Sequence, residues 1–169
     1  MLRVRDATAD DLPAIFAIYD EQVLHGTATF ETEPKSTKER LAWFEAHPRA
    51  RYPVIVAEEE GAVAGWGRLQ PWSPRQAYAR TAENSVYVRR DARGRGAGRA
   101  LLAALLDRAR AAGIAVVVAR IAEGNPASVR LHEAAGFRTF GTMRRVGEKF
   151  GRILDVQLMD RHLDGGAQA

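Results

Sequence analysis

A glycine-rich stretch between an apolar strand and an amphipathic helix is the strongest chemical signal in the sequence. Residues 93–98 read Arg-Gly-Arg-Gly-Ala-Gly. Glycines allow the backbone to curl so that several N–H groups converge, and the start of a helix adds unpaired amides and a positive dipole end. Such a loop can bind a pyrophosphate, and Arg93, Arg95 and Arg99 can add charge-assisted hydrogen bonds. For the glycines alone, a tight structural turn is the alternative interpretation.

Two familiar nucleotide-binding motifs do not fit this loop. A Walker loop places Lys and then Ser or Thr after its last glycine, whereas Arg99 follows Gly98 here. A Rossmann fingerprint has a different glycine offset and follows an early strand, whereas this strand comes late in the chain. A phosphate-binding loop of another kind and a tight structural turn therefore both stay open for this segment.

Composition predicts one globular domain. The chain has 169 residues, of which 46% are hydrophobic and 27% charged, enough for a single core. The absence of cysteine excludes disulfides, thiolate metal sites and a cysteine nucleophile. His25, His47 and His162 show no metal-ligand spacing, so no metal is expected. No apolar run is long enough to cross a membrane and the first residues lack a signal core, which predicts a cytoplasmic protein with no membrane partner.

The basic charge requires that nucleic-acid binding be considered. The formal net charge is +4 and the sequence pI is about 9.8. The arginines are spread along the chain and alternate with acids, which favours a solvated surface and no nucleic-acid partner. A nucleic-acid binder remains the alternative, and it would show affinity that falls with salt.

Hydrophobic periodicity predicts an α/β (α+β) domain with a mixed central sheet of about six to seven strands flanked by about four helices. Strands are predicted at residues 2–5, 53–58, 62–69, 82–89 and 114–121, and around 140–145 and 153–159. A helix capped near Thr8 is predicted to run to Leu24, and further helices to contain residues 41–44, 100–109 and 125–135. The domain is predicted to span residues 1–164, with 165–169 as a disordered tail.

Two segments resemble motifs of the GNAT acetyltransferases. Residues 85–102 resemble that family's acetyl-CoA motif, Arg/Gln-x-x-Gly-x-Gly/Ala after a V-x-V strand. Residues 125–137, which read Asn-Pro-Ala-Ser-Val-Arg-Leu-His-Glu-Ala-Ala-Gly-Phe, resemble its next motif. The resemblance implies a GNAT-type domain, acetyl-CoA as co-substrate, a small-molecule amine as acceptor, direct transfer in a ternary complex and a homodimer.

Five further segments resemble one branch of that family, the phosphinothricin and methionine sulfoximine N-acetyltransferases. Members of that branch acetylate the α-amine of phosphinothricin, methionine sulfoximine or methionine sulfone, which implies a detoxifying role. The segments are residues 27–34, 71–72, 78, 81–88 and 147–155. The chain departs from the branch at Ile153, where Trp is usual, and at Ser73, where a basic residue is common. These departures concern the preferred substrate and not the chemistry.

The resemblance also implies how acetyl-CoA is held. The backbone of residues 86–88 would line the pantetheine arm, and a main-chain N–H there would polarise the acetyl carbonyl. Residues 94–99 would bind the pyrophosphate, and Asn125 and Ser128 would contact pantetheine. The predicted cofactor-binding residues are Val86, Tyr87, Val88, Arg93, Gly94, Arg95, Gly96, Ala97, Gly98, Arg99, Asn125 and Ser128.

Two side chains are candidates for proton transfer. The α-amine of a substrate is mostly protonated at neutral pH, so a base must accept its proton. Glu83 matches the acidic residue proposed as base in the branch, acting through water. His132 lies where many GNAT enzymes place a tyrosine that protonates the coenzyme A thiolate, and imidazolium could do the same. An exposed glutamate and a structural histidine are the alternatives, and the sequence leaves open which residue is essential.

A guanidinium is expected to bind the substrate carboxylate, because Arg can contact both oxygens. Arg75 is the candidate, with Ser73 and Pro74 shaping the pocket around it. Aromatic side chains, Tyr87 among them, could wall the pocket, although ordinary packing is the alternative. The predicted substrate-binding residues are Phe30, Ser73, Pro74, Arg75, Tyr78, Glu83, Asn84 and Ser85.

Two other functions stay open at this point. One is an acetyltransferase for a different amine, such as a polyamine, an antibiotic or a protein N-terminus. A strongly acidic pocket would favour a polyamine, and Arg75 argues against it. The other is a catalytically silent acetyl-CoA-binding module. Loss of both Glu83 and His132 would have indicated such a module, and both are present.

Overall fold

The computed structural model describes residues 1–164 and places them in a seven-stranded mixed sheet with helices on both faces. The fold class predicted from the sequence is confirmed; the predicted tail, residues 165–169, lies outside the described residues. The strands are β1 (Leu2–Asp6), β2 (Val54–Glu59), β3 (Ala62–Pro71), β4 (Thr81–Val88), β5 (Val116–Ala122), β6 (Arg138–Lys149) and β7 (Arg152–His162). The helices are α1 (Leu12–His25), α2 (Thr37–Ala46), α3 (Ala97–Ala111) and α4 (Pro126–Ala134).

The sheet has one feature that positions the site. Its strand order is β1-β2-β3-β4-β5-β7-β6, and β4 and β5 run parallel while the other described pairs are antiparallel. Parallel pairing joins Thr81, Ala82 and Glu83 to residues 116–118 and then stops. Beyond Glu83 the two strands diverge, which leaves one edge of β4 unpaired in the middle of the sheet.

Two apolar clusters hold this sheet between the helices. Side chains alternate across a strand, so neighbouring residues of β2 enter different clusters. Ile55 packs under α3 with fully buried Leu101 and Leu105, and Val56 packs under α1 and α2 with Ile15. The end of β4 packs against both clusters, which fixes its position in the sheet. Within residues 1–164 no helix is long and apolar enough to cross a bilayer.

The last two strands are longer than the sequence predicts. The prediction followed the apolar residues around 140–145 and 153–159, whereas the ladder runs from residue 138 to residue 162. Phe150 and Gly151, with φ of 54° and 69°, close the hairpin in a tight turn. The polar residues beside this turn therefore belong to strands and not to loops.

Candidate functional site

A groove opens where β4 and β5 diverge. It has a volume of about 960 Å³ and lies between the end of α1, the glycine-rich loop and the first turns of α3 and α4. Ten of the residues predicted to bind the cofactor line it: Val86, Tyr87, Val88, Arg93, Gly94, Gly96, Gly98, Arg99, Asn125 and Ser128.

The unpaired edge of β4 directs backbone amides into this groove. The N–H of Arg89 donates to the Ala64 carbonyl on β3 at 2.9 Å. Successive amides of a strand point to opposite sides, so the N–H groups of Val86 and Val88 point away from β3 and into the opening. An extended ligand with amide groups can therefore bind along β4 as an added strand would.

The glycine-rich loop presents donors to the same groove. Gly94 and Gly96 have φ of 76° and 93°, a backbone conformation that residues other than glycine rarely adopt. Gly96 is the N-cap of α3, and its carbonyl accepts from the Ala100 N–H at 3.0 Å. The amides of Gly98 and Arg99 precede the first helical hydrogen bond and stay free to bind an anion. The residues present thus fit a pyrophosphate.

The groove differs from the sequence prediction at two residues and adds others. Arg95 extends away to Glu59, with 2.8 Å between guanidinium and carboxylate, and Ala97, the first residue of α3, is buried in the core. Neither side chain lines the groove. His25, Arg90 and Arg130 do line it, and they are not among the residues that the sequence predicts to bind the cofactor. Arg130 lies inside the second motif and could have been found there.

A second cavity of about 420 Å³ adjoins the groove. Glu83, Asn84, Ser85, Phe30 and His132 were predicted for the site and line this cavity. The two spaces share one wall, so a ligand in the groove and a ligand in the cavity can meet there. The residues common to both are Thr27, Ala28, Val86, Tyr87, Asn125 and Ser128.

Glu83 is buried at the point where β4 and β5 begin to diverge, with 7% of its surface exposed. Arg120 on β5 donates to both carboxylate oxygens, from Nε at 2.7 Å and from Nη2 at 2.8 Å. Gln70 on β3 donates a third hydrogen bond at 2.8 Å. Both oxygens therefore act as hydrogen-bond acceptors, and the hydrogen bonds from Arg120 to Glu83 raise the pKa of Arg120. The cavity therefore holds a negative charge that is already paired.

His132 is buried on α4 beside this ion pair, with 4% of its surface exposed. Its Nδ1 lies 2.8 Å from the Ser128 carbonyl, and its Nε2 lies 3.1 Å from Oδ1 of Asn84. Asn84 in turn donates to the Val118 carbonyl at 3.2 Å, where β4 and β5 separate. Burial lowers the pKa of His132, and the hydrogen bond to Ser128 opposes this effect. The ring can therefore release a proton readily.

The buried histidines predict how stability depends on pH. Burial lowers the pKa of His132 and also of His47, whose Nε2 lies 2.9 Å from the Leu69 carbonyl. Below about pH 6.5 the unfolded chain then binds more protons than the folded protein. We expect the free energy of unfolding to fall from pH 7.5 to pH 5.5, by at most about 1.4 kcal/mol per pH unit for each histidine.

Urea unfolding at several pH values measures this slope. His47→Gln should flatten it, whereas His25→Gln, at an exposed position, should leave it unchanged. A slope that is equal in wild type and His47→Gln would show that His47 does not contribute.

The segment from Ser73 to Tyr78 lies outside the cavity. Ser73, Pro74, Arg75 and Tyr78 were predicted to bind substrate, and none of them lines the cavity. Arg75 is exposed, and its N–H lies 3.3 Å from the Ser73 hydroxyl at the start of a short 3₁₀ turn. The segment reaches the site through Trp72, whose ring centre lies 5.7 Å from the Arg120 guanidinium.

Two arginines of the cavity were not predicted. Arg68 on β3 and Arg120 on β5 both line it. Each interrupts an otherwise apolar or small-residue run, Gly-Trp-Gly-Arg-Leu and Val-Val-Ala-Arg-Ile. A charged residue inside a buried strand is rarely tolerated without a partner or a function. A single arginine in an apolar run is therefore the sequence pattern that could have indicated these two cavity residues.

The β6–β7 hairpin supports the outer wall of the cavity. A Cβ at Gly147 would lie 2.2 Å from the Phe30 ring, so only glycine leaves room for this ring. Lys149 is buried and donates to the carbonyls of Gln22 and Thr29 at 2.8 and 2.9 Å. Burial lowers the pKa of Lys149. These contacts fix the segment after α1 against the hairpin.

Comparisons with known proteins agree with this geometry. Residues 9–137 match the acetyltransferase (GNAT) family. An L-methionine sulfoximine/L-methionine sulfone acetyltransferase of Pseudomonas paraeruginosa is 46% identical over 95% of this chain and 94% of its own length.

Solved structures resemble the whole chain as well. The crystal structure of a GNAT superfamily phosphinothricin acetyltransferase from Sinorhizobium meliloti, in complex with acetyl-CoA, is 41% identical with a TM-score of 0.92, covering 96% of this chain and 88% of that one. A ribosomal-protein-alanine N-acetyltransferase from Brucella melitensis is 42% identical with a TM-score of 0.92, covering 95% and 99%. The chain therefore belongs to the GNAT acetyltransferase family.

Proposed function

We propose that the chain transfers the acetyl group of acetyl-CoA to the α-amine of a small amino-acid analogue of the phosphinothricin, methionine sulfoximine or methionine sulfone type. The observation that carries the proposal is the position of Glu83. This carboxylate lies in a cavity that shares a wall with a groove built for a pyrophosphate and an extended arm. The named relatives support the choice of amine.

The groove residues would hold acetyl-CoA from both ends. Bound there, it supplies a thioester whose carbonyl carbon the amine attacks, with coenzyme A leaving as a thiolate. Gly98 and Arg99 present free amides to the pyrophosphate. Val86 and Val88 offer backbone N–H groups along the pantetheine arm, and one of them can polarise the thioester carbonyl. Arg93 adds a positive charge at the phosphate end.

Glu83 would accept the proton that the substrate ammonium must lose before it attacks. Its Oε1 accepts one hydrogen bond from the protein, which leaves an acceptor position for the ammonium or for a bridging water that carries the proton. The hydrogen bonds from Arg120 and Gln70 hold its two oxygens in one orientation. The base is therefore positioned before substrate binds.

His132 would return a proton to the departing thiolate. Because burial lowers its pKa, the resting ring is neutral near pH 7, so it would first take up, through water, the proton that leaves the substrate ammonium. Both of its nitrogens face acceptor oxygens, which stabilise the ring while it carries that proton. A lowered pKa makes imidazolium a stronger acid than a free histidine. His132 also fixes Asn84, so it positions the residue that joins β4 to β5 at the point of divergence.

Thiol release across a panel of amines tests the proposal. The panel holds methionine sulfoximine, methionine sulfone, phosphinothricin, the common amino acids, spermidine, an aminoglycoside and a peptide with N-terminal alanine. Turnover confined to the sulfoximine-type compounds supports the proposed substrate. Turnover with the peptide, spermidine or the aminoglycoside alone would replace that substrate and keep the acetyl transfer. Binding of acetyl-CoA with no turnover would indicate a silent binding module.

We also propose a homodimer that works in the cytoplasm and detoxifies such compounds. The support for the dimer is a set of exposed apolar side chains along the last hairpin, at the edge of the sheet. Phe140, Val146, Phe150 and Ile153 are between 45% and 56% exposed there. Large exposed apolar side chains are often buried at subunit interfaces. Sedimentation equilibrium gives the mass, and a monomer at all concentrations would contradict the proposal.

A further inference from the structure

Arg68 is a cavity residue whose charge no carboxylate balances. It lines the cavity from β3, and among the ion pairs of residues 1–164 none includes it. Its Nε is buried without a hydrogen-bond partner, and its guanidinium lies 5.4 Å from the centre of the Trp43 ring. A buried N–H donor without an acceptor is costly, and an anion bound in the cavity would accept from it.

One further anion would balance the charges of the cavity residues. Glu83 and Arg120 neutralise each other through two hydrogen bonds. Arg68 then gives the cavity a net positive charge. A substrate that carries only positive charge would be repelled by Arg68, whereas the carboxylate of a substrate would balance the charge of Arg68.

Strand register places Arg68 at the right separation from Glu83. Arg68 pairs with Ser85 and Gln70 pairs with Glu83 across β3 and β4. Arg68 and Glu83 are thus diagonal neighbours on one face of the sheet, about 7–8 Å apart in the backbone and within reach of long side chains. In an α-amino acid the carboxyl carbon is two bonds from the amine nitrogen. One such molecule can therefore direct its ammonium towards Glu83 and its carboxylate towards Arg68.

We propose that Arg68 binds the α-carboxylate of the substrate, and that the cavity selects amines whose neighbouring carbon carries a carboxylate. The inference rests on the proposed function and narrows it. It excludes polyamines and aminoglycosides, which lack the anion, and peptide N-termini, whose α-carbon carries an amide. It also gives Arg68 the role that sequence analysis assigned to the exposed Arg75.

Substrate pairs that differ only in the carboxylate test this assignment. Methionine sulfone is compared with 3-(methylsulfonyl)propan-1-amine, its decarboxylated form, in wild type and in Arg68→Met. Methionine keeps the length of the stem and its packing on Trp43 but removes the charge and the donors. Arg68→Lys keeps the positive charge but lacks the planar guanidinium that can donate to both carboxylate oxygens. Arg3→Gln removes an exposed arginine of β1 and serves as the matched control.

Wild type is expected to prefer methionine sulfone over its decarboxylated form by about 100-fold in kcat/KM, the effect of two charge-assisted hydrogen bonds. Arg68→Met should lower kcat/KM for methionine sulfone by about the same factor, chiefly through KM, and leave the decarboxylated amine nearly unchanged. Arg68→Lys should recover part of the loss, and Arg3→Gln should match wild type. Calorimetric titration of methionine sulfone into the coenzyme A complex should show the same loss of affinity without catalysis.

Three results would overturn the assignment. They are equal wild-type activity on both amines, an Arg68→Met enzyme that keeps its preference, and a loss of preference in Arg75→Gln but not in Arg68→Met. Arg68 lies outside the groove, so acetyl-CoA affinity and melting temperature verify that each variant is folded. If wild type acetylates both amines equally, the acetyltransferase proposal survives and the carboxylate proposal fails. If wild type acetylates no amino-acid analogue, the substrate proposal fails, and calorimetry alone then decides whether Arg68 binds the carboxylate.

Discussion

Replacement of Glu83 by Gln is expected to lower kcat/KM about 1,000-fold at pH 7, within the range that a general base contributes. The amide cannot accept the ammonium proton, and the substrate amine is mostly protonated at this pH. At higher pH the amine loses its proton in solution, so the variant should recover more activity between pH 7 and pH 9.5 than wild type does. Initial rates of thiol release over this pH range measure the effect.

The control for this variant is Glu133→Gln, which removes an exposed carboxylate from α4. It should retain wild-type kinetics. Acetyl-CoA affinity should be the same in both variants, because neither side chain lines the groove. A loss in Glu83→Gln that stays constant from pH 7 to pH 9.5 would mean that Glu83 orients the substrate or the strands and does not accept a proton.

Replacement of Gly96 by Val is expected to weaken acetyl-CoA binding about 100-fold. A β-branched residue cannot readily keep a φ of 93°, so the loop must change shape and its convergent amides move away from the phosphates. Losing two charge-assisted hydrogen bonds accounts for a factor of this size. Isothermal titration with acetyl-CoA gives the dissociation constant directly.

The matched control is Gly61→Val in the turn between β2 and β3. Gly61 has a φ of 79°, and a Cβ at either glycine meets no atom within 4 Å. Both variants should therefore lose a similar stability, roughly 1–2 kcal/mol from backbone strain, while Gly61→Val keeps its affinity for acetyl-CoA. Unchanged affinity in Gly96→Val would show that the loop amides do not bind the phosphates.

The sequence predicted the elements and the groove because both depend on local patterns. Apolar spacing indicated α3, and the β-branched run indicated β5. The glycines of residues 94–98 stand where a strand leads into a helix, so the position of the groove followed from chain order. The buried position of Glu83 was not predicted, because burial depends on the helices that cover the strand.

The lining of the cavity could not be predicted in the same way. Arg68 and Glu83 become neighbours only through the register between β3 and β4, which no single segment specifies. The sequence analysis assigns the carboxylate to Arg75 in the loop after Trp72, but β3 extends to Pro71, and residues 73–78 beyond it do not line the cavity. The same strands that position Glu83 thus place a different arginine beside it.

The short segment after α1 has a thermodynamic consequence for the two ligands. Thr27 and Ala28 line both the groove and the cavity, and Tyr19 and Lys149 hold the neighbouring Thr29 by hydrogen bonds at 2.7 and 2.9 Å. A ligand in either space contacts the same few residues of this wall, so any displacement that one ligand causes there changes the free energy with which the other binds. By linkage, the factor by which the first changes the affinity of the second is equal in both directions.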